Sequence, residues 1–188
     1  MLRALLVHRC SLVPQAAPLA AAHFELADEA ATARLGALLA HALRTQGAAI
    51  EAHGFVVGLS GDLGAGKTAL VRAVLRALGE TGPVKSPTFA LLEPYVVSSL
   101  NFYHFDFYRF AGPDEFAAAG FRELFGPGAV CAIEWPERAR GALPTPDLAL
   151  TLKVKGEGRG VDAAAYSATG AACLNEIAAA WRMSTDAA

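Results

Sequence analysis

The chain has 188 residues, of which 16 are basic and 18 acidic, for a formal charge of −2, and its mean hydropathy is +0.34. At 54% hydrophobic and 18% charged, it is too apolar for a disordered chain and too poor in clustered Lys and Arg to hold nucleic acid by bulk charge. No uncharged apolar run reaches the roughly 18 residues of a membrane-spanning helix. The three scattered cysteines, Cys10, Cys131 and Cys173, give neither a disulfide framework nor zinc-ligand spacing. The expectation is a single domain in a reduced, cytoplasmic compartment, without membrane association.

Residues 1–23 carry Arg3, His8 and Arg9 but no acid, and include Pro14 and Pro18. Their apolar stretch at 4–7 is shorter than the roughly 7–15 residues of a signal-peptide core, so they read as a flexible N-terminal arm. Residues 24–188 read as one domain. Asp28 is placed to cap a helix whose Ala31, Leu35, Leu38, Leu39, Ala42 and Leu43 share a face. Residues 55–59 form a short apolar run, as in a buried parallel strand. Leu70, Val71, Val74, Leu75 and Leu78 then recur at helical spacing before a stop at Gly79.

Residues 89–95 and 102–110 predict two extended segments, with a hairpin or loop over 96–100. Pro113 starts a helix reaching about Phe125. A buried strand follows at 129–133, and then 148–155, where Leu148, Leu150, Leu152 and Val154 alternate with more polar positions. A Gly-rich turn at 156–160 and a helical tail over 171–181 complete the chain. Strands alternating with helices indicate an α/β fold.

Gly61-Asp62-Leu63-Gly64-Ala65-Gly66-Lys67-Thr68 matches G-x-x-x-x-G-K-[ST] at every fixed position. Such glycines let the backbone curl so that successive N–H groups face phosphate oxygens, and the helix that follows adds its positive end. In this pattern Lys67 reaches the β- and γ-phosphates and Thr68 holds Mg²⁺. The loop lies between an expected buried strand and an amphipathic helix, the context it requires. It predicts a three-layer P-loop NTPase-like domain with a mainly parallel central sheet plus antiparallel strands.

Three further groups are candidate partners of the loop. Glu134 ends an apolar strand, where such proteins keep a carboxylate for the Mg²⁺ shell; a solvated strand-end acid reads the same way. His104 and Asp106 share one face of a period-2 segment, so Asp106 can orient water or Mg²⁺ with His104 as its orienter, or the two can form a structural pair. Ser86-Pro87-Thr88-Phe89 offers hydroxyls for a γ-phosphate-sensing loop, or is a plain turn before a strand.

In this order, the phosphate loop, Val84-Lys85-Ser86-Pro87-Thr88-Phe89, His104-Phe105-Asp106-Phe107-Tyr108-Arg109, Glu134-Trp135-Pro136-Glu137 and Gly156-Glu157-Gly158-Arg159 resemble the TsaE (YjeE) family. These are bacterial ATPases needed for threonylcarbamoyladenosine (t6A) in tRNA. The resemblance spans about Phe24 to Gly170. It implies ATP binding by residues 61–68, with Lys67 on the phosphates and Thr68 and Glu134 on Mg²⁺. It also implies a switch-like loop at Thr88, a catalytic or metal-shell acid at Asp106, and Trp135 and Arg159 beside the nucleotide. The partners it implies are TsaD and TsaB, with tRNA contacted only indirectly.

The chain departs from the family pattern in its long arm, the apolar 96–100 connection and the Ala-rich stretch after Gly160. A GTPase reading lacks the N-K-x-D signal. A small-metabolite kinase would need clustered phosphate-clamping arginines, and those here are scattered. A nucleotide-gated interaction module with negligible turnover is the third reading. Asp106 discriminates it from an ATPase.

Overall fold

A computed structural model describes residues 17–98 and 100–185. The described strands form one sheet in the order β1-β7-β6-β2-β5-β4-β3. They are β1 (Ala20–Leu26), β2 (Phe55–Ser60), β3 (Leu92–Val97), β4 (Leu100–Asp106), β5 (Ala129–Glu134), β6 (Leu148–Lys155) and β7 (Gly158–Ala165). The four central strands β6, β2, β5 and β4 are mutually parallel. β1, β7 and β3 join the flanks antiparallel. A central parallel strand is covered on both faces and so is mostly apolar; β5 is buried at every position, its terminal Glu134 included.

The helices are α1 (Glu29–Thr45), α2 (Gly47–His53), α3 (Lys67–Leu78), α4 (Pro113–Ala118) and α5 (Ala168–Thr185), with 3-10 turns at Phe121–Leu124 and Pro136–Ala139. Asp28 caps α1, its carboxylate accepting the Ala31 N–H at 2.7 Å. Gly79 ends α3 in the left-handed conformation at φ 105°. Leu35, Leu39 and Leu43 of α1, Leu70 and Val74 of α3, and Leu174 and Ile177 of α5 pack together with one sheet face. On the other face Phe105, Phe107, Phe110 and Phe116 form an aromatic core beneath α4 and the 3-10 turns. Beside that core, next to β1, β7 and β6, an open cleft of about 890 Å³ is lined by Ala21, Val56, Leu143, Pro144, Pro146 and Tyr166.

The α/β sandwich agrees with the sequence reading, but several boundaries move. Ala20–His23, assigned above to the arm, belong to β1, where Ala20 and Ala21 pair with Ala165 and Ala164. This Ala-on-Ala ladder carries no alternating hydrophobic signal. Residues 1–16 lie outside the described residues. β7 likewise begins at Gly158, inside the expected glycine turn.

The first extended segment starts late because Leu91 turns, with φ 66° and its N–H on the Pro87 carbonyl. The second stops at Asp106, whose Oδ1 accepts the Tyr108 N–H at 2.9 Å and turns the chain off the sheet. Of the expected 96–100 connection, Val96 and Val97 still belong to β3, Leu100 already belongs to β4, and Ser98 turns out of β3 with φ 49°. The helix expected over 113–125 breaks at Gly120, which has φ 71°.

Candidate functional site

The site lies at the carboxyl ends of β2, β5 and β4, where an open parallel sheet places its ligands. β2 delivers the 61–68 loop, β5 delivers Glu134 and β4 delivers Asp106. The loop's three glycines all have positive φ, and at two of them a Cβ would also meet a close neighbour. Gly61 has φ 136°, and a Cβ there would lie 2.3 Å from the Leu152 carbonyl oxygen. Gly66 has φ 101°, and a Cβ would lie 2.8 Å from Arg159 Nε. Arg159 crosses from β7 and donates from that same Nε to the Ala65 carbonyl at 3.1 Å, so it braces the loop from behind.

Lys67 opens α3 and is buried. Its ammonium donates to the carbonyls of Gly61 at 2.7 Å and Asp62 at 2.9 Å, and lies 3.8 Å from the centroid of the Trp135 ring. Desolvation lowers its pKa from the ordinary lysine value, opposed by the charges of Glu134, Glu137, Asp106 and Asp62. Asp62, Leu63 and Gly64 are exposed at the loop crest, with Leu63 74% accessible. Trp135 adopts the left-handed conformation at φ 58°, with its N–H on the Leu59 carbonyl. Tyr108 packs on the indole at 5.1 Å.

Thr68 Oγ1 donates to Glu134 Oε1 at 2.7 Å. Glu134 is 3% accessible, so it is not a solvated strand-end acid. Threonine hydroxyl and carboxylate are hard oxygen donors suited to Mg²⁺. No group of three or more His, Cys, Asp or Glu that could hold a metal occurs among the described residues. An ion held by this pair would therefore complete its shell with phosphate and water. The donor chemistry fits a nucleotide-bound Mg²⁺.

His104 is not the orienter of Asp106. Although both share a face of β4, His104 Nε2 lies 2.8 Å from Glu134 Oε1. Asp106 is instead held by the loop that follows α3. Its Oδ2 accepts from Thr88 Oγ1 at 2.7 Å and from Ser86 Oγ, while the two hydroxyls lie 2.7 Å apart. Thr88 is thus brought to Asp106, and the 86–89 segment is not a free turn. Ser86 was legible only as part of the Ser-Pro-Thr-Phe signature. Nothing local marks His104 as a partner of Glu134, because that contact spans two strands 30 residues apart. Phe89, 86% exposed, lies against the Arg109 guanidinium at 4.2 Å.

Residues 26–161 match the family described as threonylcarbamoyl adenosine biosynthesis protein TsaE. The chain is similar to the protein named tRNA threonylcarbamoyladenosine biosynthesis protein TsaE of Haemophilus influenzae, 41% identical over 115 residues, covering 61% of this chain and 73% of that one. It is 36% identical to the protein of the same name from Rickettsia felis over 135 residues, covering 71% and 74% of the two chains. Among solved structures it resembles Bacillus subtilis YdiB, with a TM-score of 0.65 and 26% identity over 86% of this chain and 96% of that one. The family match spans the phosphate loop, the 86–89 segment, Asp106, Glu134 and Arg159 alike. The chain belongs to the TsaE family.

Proposed function

We propose that the chain is a slow Mg²⁺-dependent ATPase that supports threonylcarbamoyl transfer to tRNA adenosine by a TsaD–TsaB complex in the cytoplasm. One observation carries this reading: a complete phosphate loop between β2 and α3 whose last hydroxyl, on Thr68, meets a buried strand-end carboxylate, Glu134, at 2.7 Å. The relatives' shared name supports the t6A assignment. The −2 charge supports contact with tRNA through partners rather than directly.

In this reading the 61–68 backbone and Lys67 bind the phosphates, Trp135 and Arg159 flank them, and Thr68 and Glu134 hold Mg²⁺. The ion supplies charge neutralisation across the phosphates when bound. Asp106 orients the attacking water. Oδ2 already accepts two hydroxyls and Oδ1 one N–H, which leaves acceptor capacity at Oδ1. Asp106 is only 3% accessible beneath Ser86 and Thr88. Water reaches it when those hydroxyls move away, so turnover of the isolated chain is slow and a partner that shifts the 86–89 segment accelerates it.

The test is ATP turnover by the purified chain, alone and with TsaD and TsaB, alongside a pull-down of both partners with and without ATP and Mg²⁺. Stimulated turnover and nucleotide-dependent capture are expected for the wild type, and neither for Lys67→Ala. A wild type that is neither stimulated nor captured would overturn the partner assignment.

A further inference from the structure

His104 is wholly buried at 0% accessibility, on the face of β4 that also carries Leu100, Phe102 and Asp106. Its Nδ1 has no hydrogen-bond partner. An orphaned buried ring nitrogen is unfavourable, and an apolar residue of similar volume would avoid that cost. What the histidine has in exchange is the contact at its other nitrogen. Nε2 lies 2.8 Å from Glu134 Oε1, the same oxygen that accepts from Thr68 Oγ1 at 2.7 Å. A carboxylate oxygen accepts, so in this contact the ring nitrogen that faces it, Nε2, is the donor.

The two donors on Oε1 are not equivalent. Thr68 is one bond rotation from releasing Glu134, and as a metal ligand its hydroxyl oxygen turns to the ion. His104 is fixed by the strand that carries it. In register, His104 pairs with Ala132 and Asp106 pairs with Glu134, so His104 reaches Glu134 along the diagonal between neighbouring strands.

We propose that His104 is a positioning residue for the Mg²⁺ site: it holds Glu134 in place when Thr68 leaves the carboxylate for the ion. This rests on the reading of Thr68 and Glu134 as the Mg²⁺ pair. Outer groups that orient a ligating carboxylate typically change metal affinity by about 10–100-fold when removed. The role differs from that of Asp106, whose donors are Ser86, Thr88 and the Tyr108 N–H.

The test measures the affinity of a fluorescent ATP analogue in EDTA and across a Mg²⁺ titration, with melting temperatures recorded in parallel. His104→Leu removes the donor at similar volume, and His104→Gln returns an N–H near the position of Nε2. In EDTA both variants should bind within about 2-fold of wild type, while the Mg²⁺ midpoint rises about 10-fold or more in His104→Leu and largely recovers in His104→Gln. Should His104→Leu melt below the assay temperature, His104→Met makes the same comparison.

Equal Mg²⁺ midpoints in wild type and the donor-free variant would overturn the positioning role alone, as would equal losses in the leucine and glutamine variants. A wild type whose analogue affinity does not respond to Mg²⁺ would instead overturn the reading of Thr68 and Glu134, and this proposal with it.

Discussion

Asp106 and Glu134 are register partners on adjacent parallel strands and both are buried, yet no hydrogen bond joins them and each has its own donors. Glu134 takes Thr68 and His104; Asp106 takes Ser86, Thr88 and the Tyr108 N–H. Two neighbouring buried carboxylates are tolerated where each is separately solvated by protein donors. One acid thus faces the phosphate-loop threonine and the other the hydroxyls of Ser86 and Thr88.

Asp106→Ala should therefore abolish ATP turnover while leaving the ATP dissociation constant within about 3-fold, since truncation removes an acid that binds no phosphate in this reading. It should also cost about 1–3 kcal/mol of stability, because two hydroxyls and an N–H lose their acceptor. Single-turnover kinetics and equilibrium binding on the same preparation check both halves. Retained turnover would remove Asp106 from the chemistry.

The Lys67 ammonium over the Trp135 ring makes that indole a reporter. Phosphate drawing Lys67 off the ring should change Trp135 emission on ATP addition, and Lys67→Ala should abolish the change while weakening binding roughly 10–150-fold. The other tryptophan, Trp181, lies beside Arg34 and should not respond, so Trp135→Phe should silence the signal. A signal that survives in Trp135→Phe would place the reporter elsewhere.

Gly61→Ala combines a left-handed φ with a Cβ 2.3 Å from the Leu152 carbonyl oxygen. Backbone cannot yield as a flexible side chain can, so we expect a loss of at least about 2 kcal/mol in denaturant unfolding. Gly64→Ala, also left-handed at φ 81° but with nothing within 4 Å, should lose less. Equal losses would mean that the close approach to β6 is unimportant.

Burial pushes the thiols of Cys131 and Cys173 up to about 12. At pH 8 the reactive thiolate is then roughly one part in 10⁴. Peptide-resolved iodoacetamide labelling of the native protein should leave both unmodified, and denatured protein should label both quickly. Native labelling of either at the denatured rate would show that its element opens readily.

His23 on β1 lies between Glu25 at 2.8 Å and Asp162 at 2.6 Å, and these carboxylates pair in turn with Lys155 and with Lys153. Hydrogen bonds to Glu25 and Asp162 raise the His23 pKa above 6.5. Those to Lys155 and His23 lower Glu25 below 4.5. Stability from the raised histidine is present below 6.5 and lost as pH rises through its folded value. That from the lowered acid is present above 4.5 and lost as pH falls. The Tm difference between wild type and His23→Gln should thus be largest between these limits. It should also shrink in high salt, because the cluster is exposed. A pH-independent difference would rule out the charge.

The phosphate loop and the helix that follows were legible because glycine spacing and a 3.6-residue period are local signals. Glu134 was legible as the polar end of an apolar strand. His104 on Glu134 was not, because same-face logic within β4 joins His104 to Asp106, whereas the contact that forms runs across to β5. β1 and β7 escaped for a different reason. Ala20, Ala21 and Ala22 paired with Ala165, Ala164 and Ala163 give no amphipathic period, and the alternation of His23-Phe24-Glu25-Leu26 is too short to mark a strand by itself.

Arg159, which steadies the phosphate loop, pairs in register with Leu26 on β1 and with Val154 on β6. The strand that carries it, β7, is therefore held between the first described strand and β6. A nascent chain stopped short of Gly158 already carries every loop residue from 61 to 68 but lacks the arm that lies over Gly66. On the proposed reading of that loop as a nucleotide site, nucleotide affinity should arrive late in synthesis, with the β6–β7 hairpin.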